Sequence, residues 1–253
     1  MKTILSVRYS VISIVFLIGI WELLFLISDY SPMLFPSPLH ALKALIEISK
    51  DGSLFVSIGV SLYRFFAGYI SACLIAAILG LFLGRYMNLF KYINPSLQLL
   101  RPISPTAWTP FIVLLFGIGD IPAIAIIFIA AFFPVLLSTV SAVVNVDQIY
   151  FKVAKNFGIF GFSFISKVLF PAAFPGIANG IRLALGSAWI FLVTGEMVGA
   201  QSGLGYQIID ARNEIRADIL LATIFVIGLI GLILDTLLKF AEKRILRSWG
   251  DIK

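Results

Sequence analysis

Hydrophobic residues in this chain come in long unbroken runs, not in the short alternating blocks of surface strands. A spanning helix needs roughly 20 mostly apolar residues, because the hydrocarbon core is about 30 Å thick and each residue rises about 1.5 Å. Such runs cover about residues 9–28, 62–84, 97–117, 121–143, 176–198 and 219–240. None has the period of two of a barrel strand. Inside a bilayer only helices or a closed barrel satisfy every backbone polar group. The pattern predicts an all-α membrane protein of about six transmembrane helices, in a single domain over residues 1–253.

Local signals refine this picture. The first run follows Lys2 and Arg8, exceeds the apolar core of a signal peptide and has no small-x-small cleavage site before Pro32. It reads as an uncleaved anchor. Pro32, Pro36 and Pro38 stiffen a loop that ends near His40. From there to Lys50, Leu42, Leu45, Ile46 and Ile48 are set against Lys43, Glu47 and Lys50, as in an interfacial amphipathic helix. Pro102, Pro105 and Pro110 predict a broken or kinked first half of the third span. Gly117, Gly119 and Asp120 predict a tight turn into the fourth. A loop of mixed polarity follows at about residues 145–174.

Composition agrees with a bilayer as solvent. The chain is 60% hydrophobic and 13% charged, about half the charge of an ordinary soluble domain. Its net charge of +6 is a matter of topology. With the N-terminus inside, thirteen Lys and Arg fall on inner segments and only Lys43, Lys50, Arg212 and Arg216 on outer ones. The positive-inside bias then predicts that both termini and the 145–174 loop are cytoplasmic. It also removes the reason to invoke nucleic acid as a partner.

Candidate chemistry is sparse. One histidine (His40) and one cysteine (Cys73) cannot build a His/Cys metal cluster within the chain or an intrachain disulfide. No Gly-x-x-x-x-Gly-Lys-Ser/Thr sequence cradles phosphate, and no serine sits in a Gly-x-Ser-x-Gly elbow. The sequence therefore nominates no catalytic residue, and the expectation is a protein that is not itself an enzyme.

The 145–174 loop is more informative. Phe151, Val153, Ala154 and Phe157 fit one apolar side of a short helix, Gly158 would end it, and Pro171 would end the next. Such a helix–glycine–helix hairpin, basic on its other side through Lys152 and Lys155, suits docking into a partner's groove. It equally suits a helix packed under the bundle.

This loop resembles the signature of bacterial ABC import permeases: Glu-Ala-Ala, three residues, Gly, nine residues, Ile, one residue, Leu-Pro. The matching positions are Lys152-Val153-Ala154, Gly158, Val168 and Phe170-Pro171. The spacing holds throughout, while Lys152 replaces the usual Glu and Val153 the first Ala. Leu34-Phe35-Pro36-Ser37-Pro38, Leu100-Arg101-Pro102-Ile103-Ser104-Pro105, Phe116-Gly117-Ile118-Gly119 and Glu196-Met197-Val198-Gly199-Ala200 with Ser202-Gly203-Leu204-Gly205-Tyr206 are similar to the nitrate/sulfonate/taurine subgroup. The resemblance implies a type I importer permease bundle in the cell inner membrane. It implies two permease chains (a homodimer is expected), cytoplasmic ATPase subunits that bind the ATP and Mg, and an extracytoplasmic binding protein that delivers a small solute such as a sulfonate, taurine, nitrate or bicarbonate. Lys152, Val153, Ala154, Lys155, Gly158 and Pro171 would then belong to the ATPase-coupling element.

For the translocation path the sequence nominates Arg101 at the inner mouth, Trp108, and Glu196 at the outer rim, on a central route lined by the third to fifth spans. An unpaired carboxylate in a span is costly, so Glu196 is expected to have a donor partner. Gly80 and Gly84, Gly176 and Gly180, and Gly195 and Gly199 have the spacing of close helix contacts. Two other readings compete. A lipid-acting membrane enzyme would show clustered Asp, His or Lys at the interface, and this chain has scattered charges. A secondary transporter would show repeats with matched broken helices, and only one broken span is evident.

Overall fold

The computed structural model describes residues 2–28 and 31–248, which leaves the basic C-terminal Lys253 outside them. In chain order the helices are α1 (Lys2–Ile27), α2 (Pro38–Lys50), α3 (Ser53–Arg85), α4 (Met87–Leu100), α5 (Thr109–Phe116), α6 (Asp120–Val144), α7 (Gln148–Asn156), α8 (Gly161–Phe164), α9 (Phe170–Gly199), α10 (Leu204–Asn213) and α11 (Ala217–Ser248). Four rods are long and apolar enough to cross a membrane: α3, α6, the continuous Gly161–Gly199 helix and α11 as far as Ile245. The segments Met87–Leu100 and Pro105–Phe116 together make one further span, bent by 80°. The remaining expected span is α1, whose apolar part, Ile12–Ile27, is shorter.

The core is the slab α3–α6–α9. Alanines and glycines at the crossings let these helices approach until a seam glycine has no room for a side chain of its own. A Cβ on Gly80 of α3 would lie 2.6 Å from Thr139 Cβ, and one on Gly180 of α9 would lie 2.4 Å from Ser138 Cβ. Helix α6 is thus gripped on both sides by glycine seams, and the dense packing supplies the dispersion that drives helix association in lipid. Around them Phe65, Ile127, Val135, Leu136, Leu185, Trp189 and Leu192 form the main apolar cluster. The Trp189 indole donates to the Ile227 carbonyl of α11 at 3.0 Å.

Other elements lie outside this slab. Ser37 caps α2, accepting from the His40 N–H at 3.3 Å; of the apolar residues read as its buried side Ile48 is buried, with Ala41 and Ala44, whereas Leu42 and Ile46 are exposed. Helix α1 is held by the Trp21 indole, which donates to the Pro36 carbonyl at 3.0 Å, while most side chains from Ile12 to Ile27 face outward.

Three boundaries differ from expectation. Helix α3 begins at Ser53, nine residues before position 62. Ser53, Ser57 and Ser61 depress hydropathy there, and Ser61 is fully buried. The third span breaks at Arg101–Ser104, where Pro102 and Pro105 forbid a continuous ladder, as predicted. Pro171, in contrast, does not end a helix. A wide turn at Ile165–Leu169, closed by the Phe170 N–H on the Ile165 carbonyl, shifts the ladder by one residue just ahead of the proline. The helix then runs on to Gly199, so the loop expected to reach residue 174 is helical from Gly161.

Candidate functional site

The polar chemistry concentrates in three places, at one end of the slab, along one of its faces and at the opposite end. At the end where α9 turns into α10, Arg64 is buried between two carboxylates. Its Nη1 donates to Glu196 Oε1 at 2.9 Å and to the Ser202 carbonyl at 2.6 Å. Its Nη2 donates to Ser202 Oγ at 2.8 Å, and its Nε to Asp120 Oδ1 at 2.7 Å. Glu196 is completed by Ser61 Oγ, 2.8 Å from each oxygen, and by the Gly205 N–H at 2.9 Å. Ser61 Oγ in turn accepts the Leu204 N–H at 2.8 Å. Buried charges persist where each partner is satisfied, and this network is closed.

Its geometry depends on Gly203, whose φ of +100° and lack of Cβ leave room for the Glu196 carboxylate. One network therefore ties α3, the first residue of α6, the end of α9 and the start of α10. Nearby, outside the spans, Arg216 bridges Glu47 and Asp218, and the hydrogen bonds from those carboxylates raise its pKa further above the usual arginine range.

A groove runs along the α6–α9 face. Its deeper part is a cavity of about 310 Å³ between Arg101, Ile103 and Pro105 of the broken span and Ala130, Phe133 and Ser138 of α6. Its second part, about 530 Å³, is lined by Ser138, Ser141, Asn145 and Asn179. The two share Leu137 and Ser138.

At the opposite end from Arg64, α7 is capped by Asp147, whose side chain accepts the Ile149 N–H at 2.8 Å. Ala154 is 2% exposed and packs with Phe164, Leu169 and Ala173. Ile149, Tyr150, Val153 and Phe157 face outward with Lys152 and Lys155. Gly158 turns the chain at φ +67°. Helix α3 reaches this hairpin too, with Arg85 lying 6.0 Å from the Phe164 ring centroid.

The profile of the binding-protein-dependent transport system inner membrane components matches residues 52–247 of this chain. The chain belongs to that family. The permease is 33% identical over 231 residues to a Bacillus subtilis (strain 168) permease protein named for aliphatic sulfonates transport, covering 91% of this chain and 84% of that one. It is 29% identical over 253 residues to the taurine transport system permease protein of Escherichia coli (strain K12), covering 98% and 92%. With the nitrate import permease protein of Leptolyngbya laminosa it shares 35% over 196 residues, 77% of this chain and 70% of that one.

Among solved structures the inward-facing MetNI methionine ABC transporter matches with a TM-score of 0.57 at 19% identity, covering 82% of this chain and 96% of that one. The likeness is one of fold, that of a type I ABC importer permease. The permease is accordingly a multi-pass inner-membrane protein, and ATP hydrolysis belongs to a partner subunit rather than to this chain.

The structure sorts the residues nominated from sequence. In the permease's α7 hairpin, Lys152, Val153 and Lys155 face outward, whereas Ala154 faces the permease's own bundle and Pro171 lies within the helix that follows. Arg101 lines a cavity. Trp108 is not among the residues that line those two cavities; its ring lies against Phe111, 6.4 Å between centroids. Glu196 has the expected donor, but its carboxylate is 0% exposed inside the permease and not at a rim. Arg64 went unnominated, although Ser57, Ser61 and Arg64 recur at helical spacing within an apolar stretch. Ser138, Ser141 and Asn145 form a second such stripe, on α6.

Proposed function

We propose that this permease forms the membrane path of an ATP-driven importer of small anions such as sulfonates, taurine, nitrate or bicarbonate, delivered by an extracytoplasmic binding protein. The relatives named for sulfonate, taurine and nitrate transport support the substrate class. The observation that carries the mechanism is α7, with one face anchored in the bundle through Ala154 and the other presenting apolar and basic side chains outward. A partner ATPase closing on ATP would push that outward face, and the anchored face would pass the movement into α6 and α9. In this reading two permease chains pair, the α7 side and both termini are cytoplasmic, and the Arg64 network lies at the outer end.

The test is reconstitution of the permease with its ATPase and binding protein in liposomes, followed by uptake of labelled taurine, nitrate and bicarbonate. ATP-dependent accumulation of at least one supports the proposal. ATP hydrolysis without uptake of any small anion, or uptake that needs no ATP, overturns it.

A further inference from the structure

The broken span places an exposed, unpaired cation on the side of the bundle, level with the middle of α6. Arg101 lies at the break between α4 and α5, and the cavity it lines is walled by α6 from Ile129 to Ser138 and by Leu183 and Phe191 of α9. That stretch of α6 brackets its midpoint, Phe132. Ala130 and Ser138 stand roughly 21 and 9 Å from the α7 end of the helix at about 1.5 Å per residue. Among the described residues no carboxylate or other hydrogen-bond acceptor engages the Arg101 guanidinium. By contrast Arg64 pairs with Glu196, Arg182 with Glu242 at 3.7 Å, and Arg85 lies over Tyr86 and Phe164. An ionisable side chain at such depth is expensive unless a cavity or a ligand compensates it. Irregular backbone at membrane depth likewise persists only where it is buried in protein or lines a water-filled space.

We propose that Arg101 and the Ser138 hydroxyl form a transient binding site for a small oxyanion. From it a lane of neutral hydrogen-bonding side chains, Ser141, Asn145 and Asn179, leads toward the α7 end. The cavity of about 310 Å³ is at the small end of ligand-pocket sizes, which suits a nitrate, a carboxylate or a short sulfonate. A guanidinium fork is suited to oxyanions. The lane contains no further cation and no carboxylate, so an anion leaving Arg101 meets neither a second trap nor repulsion. The groove is open along one side, and a second permease copy laid against it would complete the wall. This inference rests on the proposed import of small anions for its substrate class, but the charge at the site can be tested without transport.

The experiment uses the permease–ATPase complex in liposomes with Cys73→Ala and Ser138→Cys. Labelling rates are compared for an anionic and a cationic methanethiosulfonate of similar size. Ser141→Cys serves as a second reporter if Ser138→Cys assembles poorly beside Gly180. With Arg101 present the anionic reagent should react faster, and Arg101→Gln should lower the anionic-to-cationic ratio about tenfold, as expected for a unit charge a few ångström away in partly hydrated surroundings. Arg101→Lys should keep most of that ratio. Excess nitrate or methanesulfonate should protect the thiol in the Arg101 protein but not in Arg101→Gln, and comparing the two anions shows which oxyanion geometry fits. Inert thiols at both positions in every nucleotide state, or a ratio unmoved by Arg101→Gln, overturn the site. If wild-type complex imports an anion while the ratio is unmoved, the site is wrong and the importer reading stands. If the ratio moves while no anion is imported, the site stands and the importer reading falls.

Discussion

Arg64 donates to Glu196 at 2.9 Å and to Asp120 at 2.7 Å, but the two carboxylates are in different surroundings: the Glu196 side chain is 0% exposed and that of Asp120 is 53% exposed. Glu196 depends on Arg64 for charge compensation, whereas Asp120 also has water. Arg64→Gln should therefore lower stability by about 3–5 kcal/mol by leaving a buried carboxylate unpaired. Asp120→Asn should cost about 1 kcal/mol or less. Arg64→Gln/Glu196→Gln should recover part of the first loss. Thermal unfolding of the purified permease in detergent checks the order, and equal losses for Arg64→Gln and Asp120→Asn would refute it.

The glycine seams predict opposite outcomes for glycines on one helix. Gly180→Ala places a methyl against Ser138 and should cost about 1–3 kcal/mol by overpacking. Gly186→Ala, also on α9, meets nothing within 4 Å and should stabilise the helix by about 0.5–1 kcal/mol. Melting temperatures of the two variants should move in opposite directions.

The two faces of α7 should separate by assay. Ala154→Trp should disrupt the hairpin itself and lower the melting temperature, since Ala154 is enclosed by Phe164, Leu169 and Ala173. Val153→Glu and Phe157→Ala alter exposed positions and should leave the melting temperature unchanged while the ATPase no longer co-purifies. Lys152→Glu should weaken that assembly by about 1 kcal/mol, the scale of a partly exposed pair, with the difference shrinking across a salt series.

Gly158 offers a backbone test. At φ +67° with open space around it, a side chain meets strain but no clash. Gly158→Val should cost about 1–2 kcal/mol for the left-handed conformation, whereas Gly158→Asn should cost less. Coupled ATP hydrolysis in liposomes should follow the same order, and identical activity in both variants would show that the turn does not set the position of the hairpin.

Features dictated by local chemistry were legible in the sequence. Pro102 and Pro105 announced the broken span, Gly158 the hairpin turn, and Gly117 with Gly119 the reversal before Asp120. The need of Glu196 for a donor was also legible, because a carboxylate in a span has few alternatives. The identity of that donor was not, since Arg64 lies 132 residues away along the chain, on another helix. Pro171 misled for a related reason: a single wide turn accommodates a proline in a continuous helix, and no residue pattern marks such a turn. Arg101 was nominated at the inner mouth; the prolines announced the break but not its 80° angle, and the cavity that Arg101 lines lies beside the middle of α6.

The grip of α3 and α9 on α6 limits how the permease can move. Long side chains that interdigitate can slide by exchanging rotamers, but glycine backbone set against the Cβ atoms of α6 has no such freedom. Helix α6 therefore cannot slip between its neighbours by small steps, and the three must swing together as a plate. Compliance is left to the Arg101–Ser104 break and the wide turn at Ile165–Leu169, which lie where the plate meets its attachments. An inhibitor wedged at the wide turn, away from Arg101 and the proposed lane, would hold α9 still without competing with the solute.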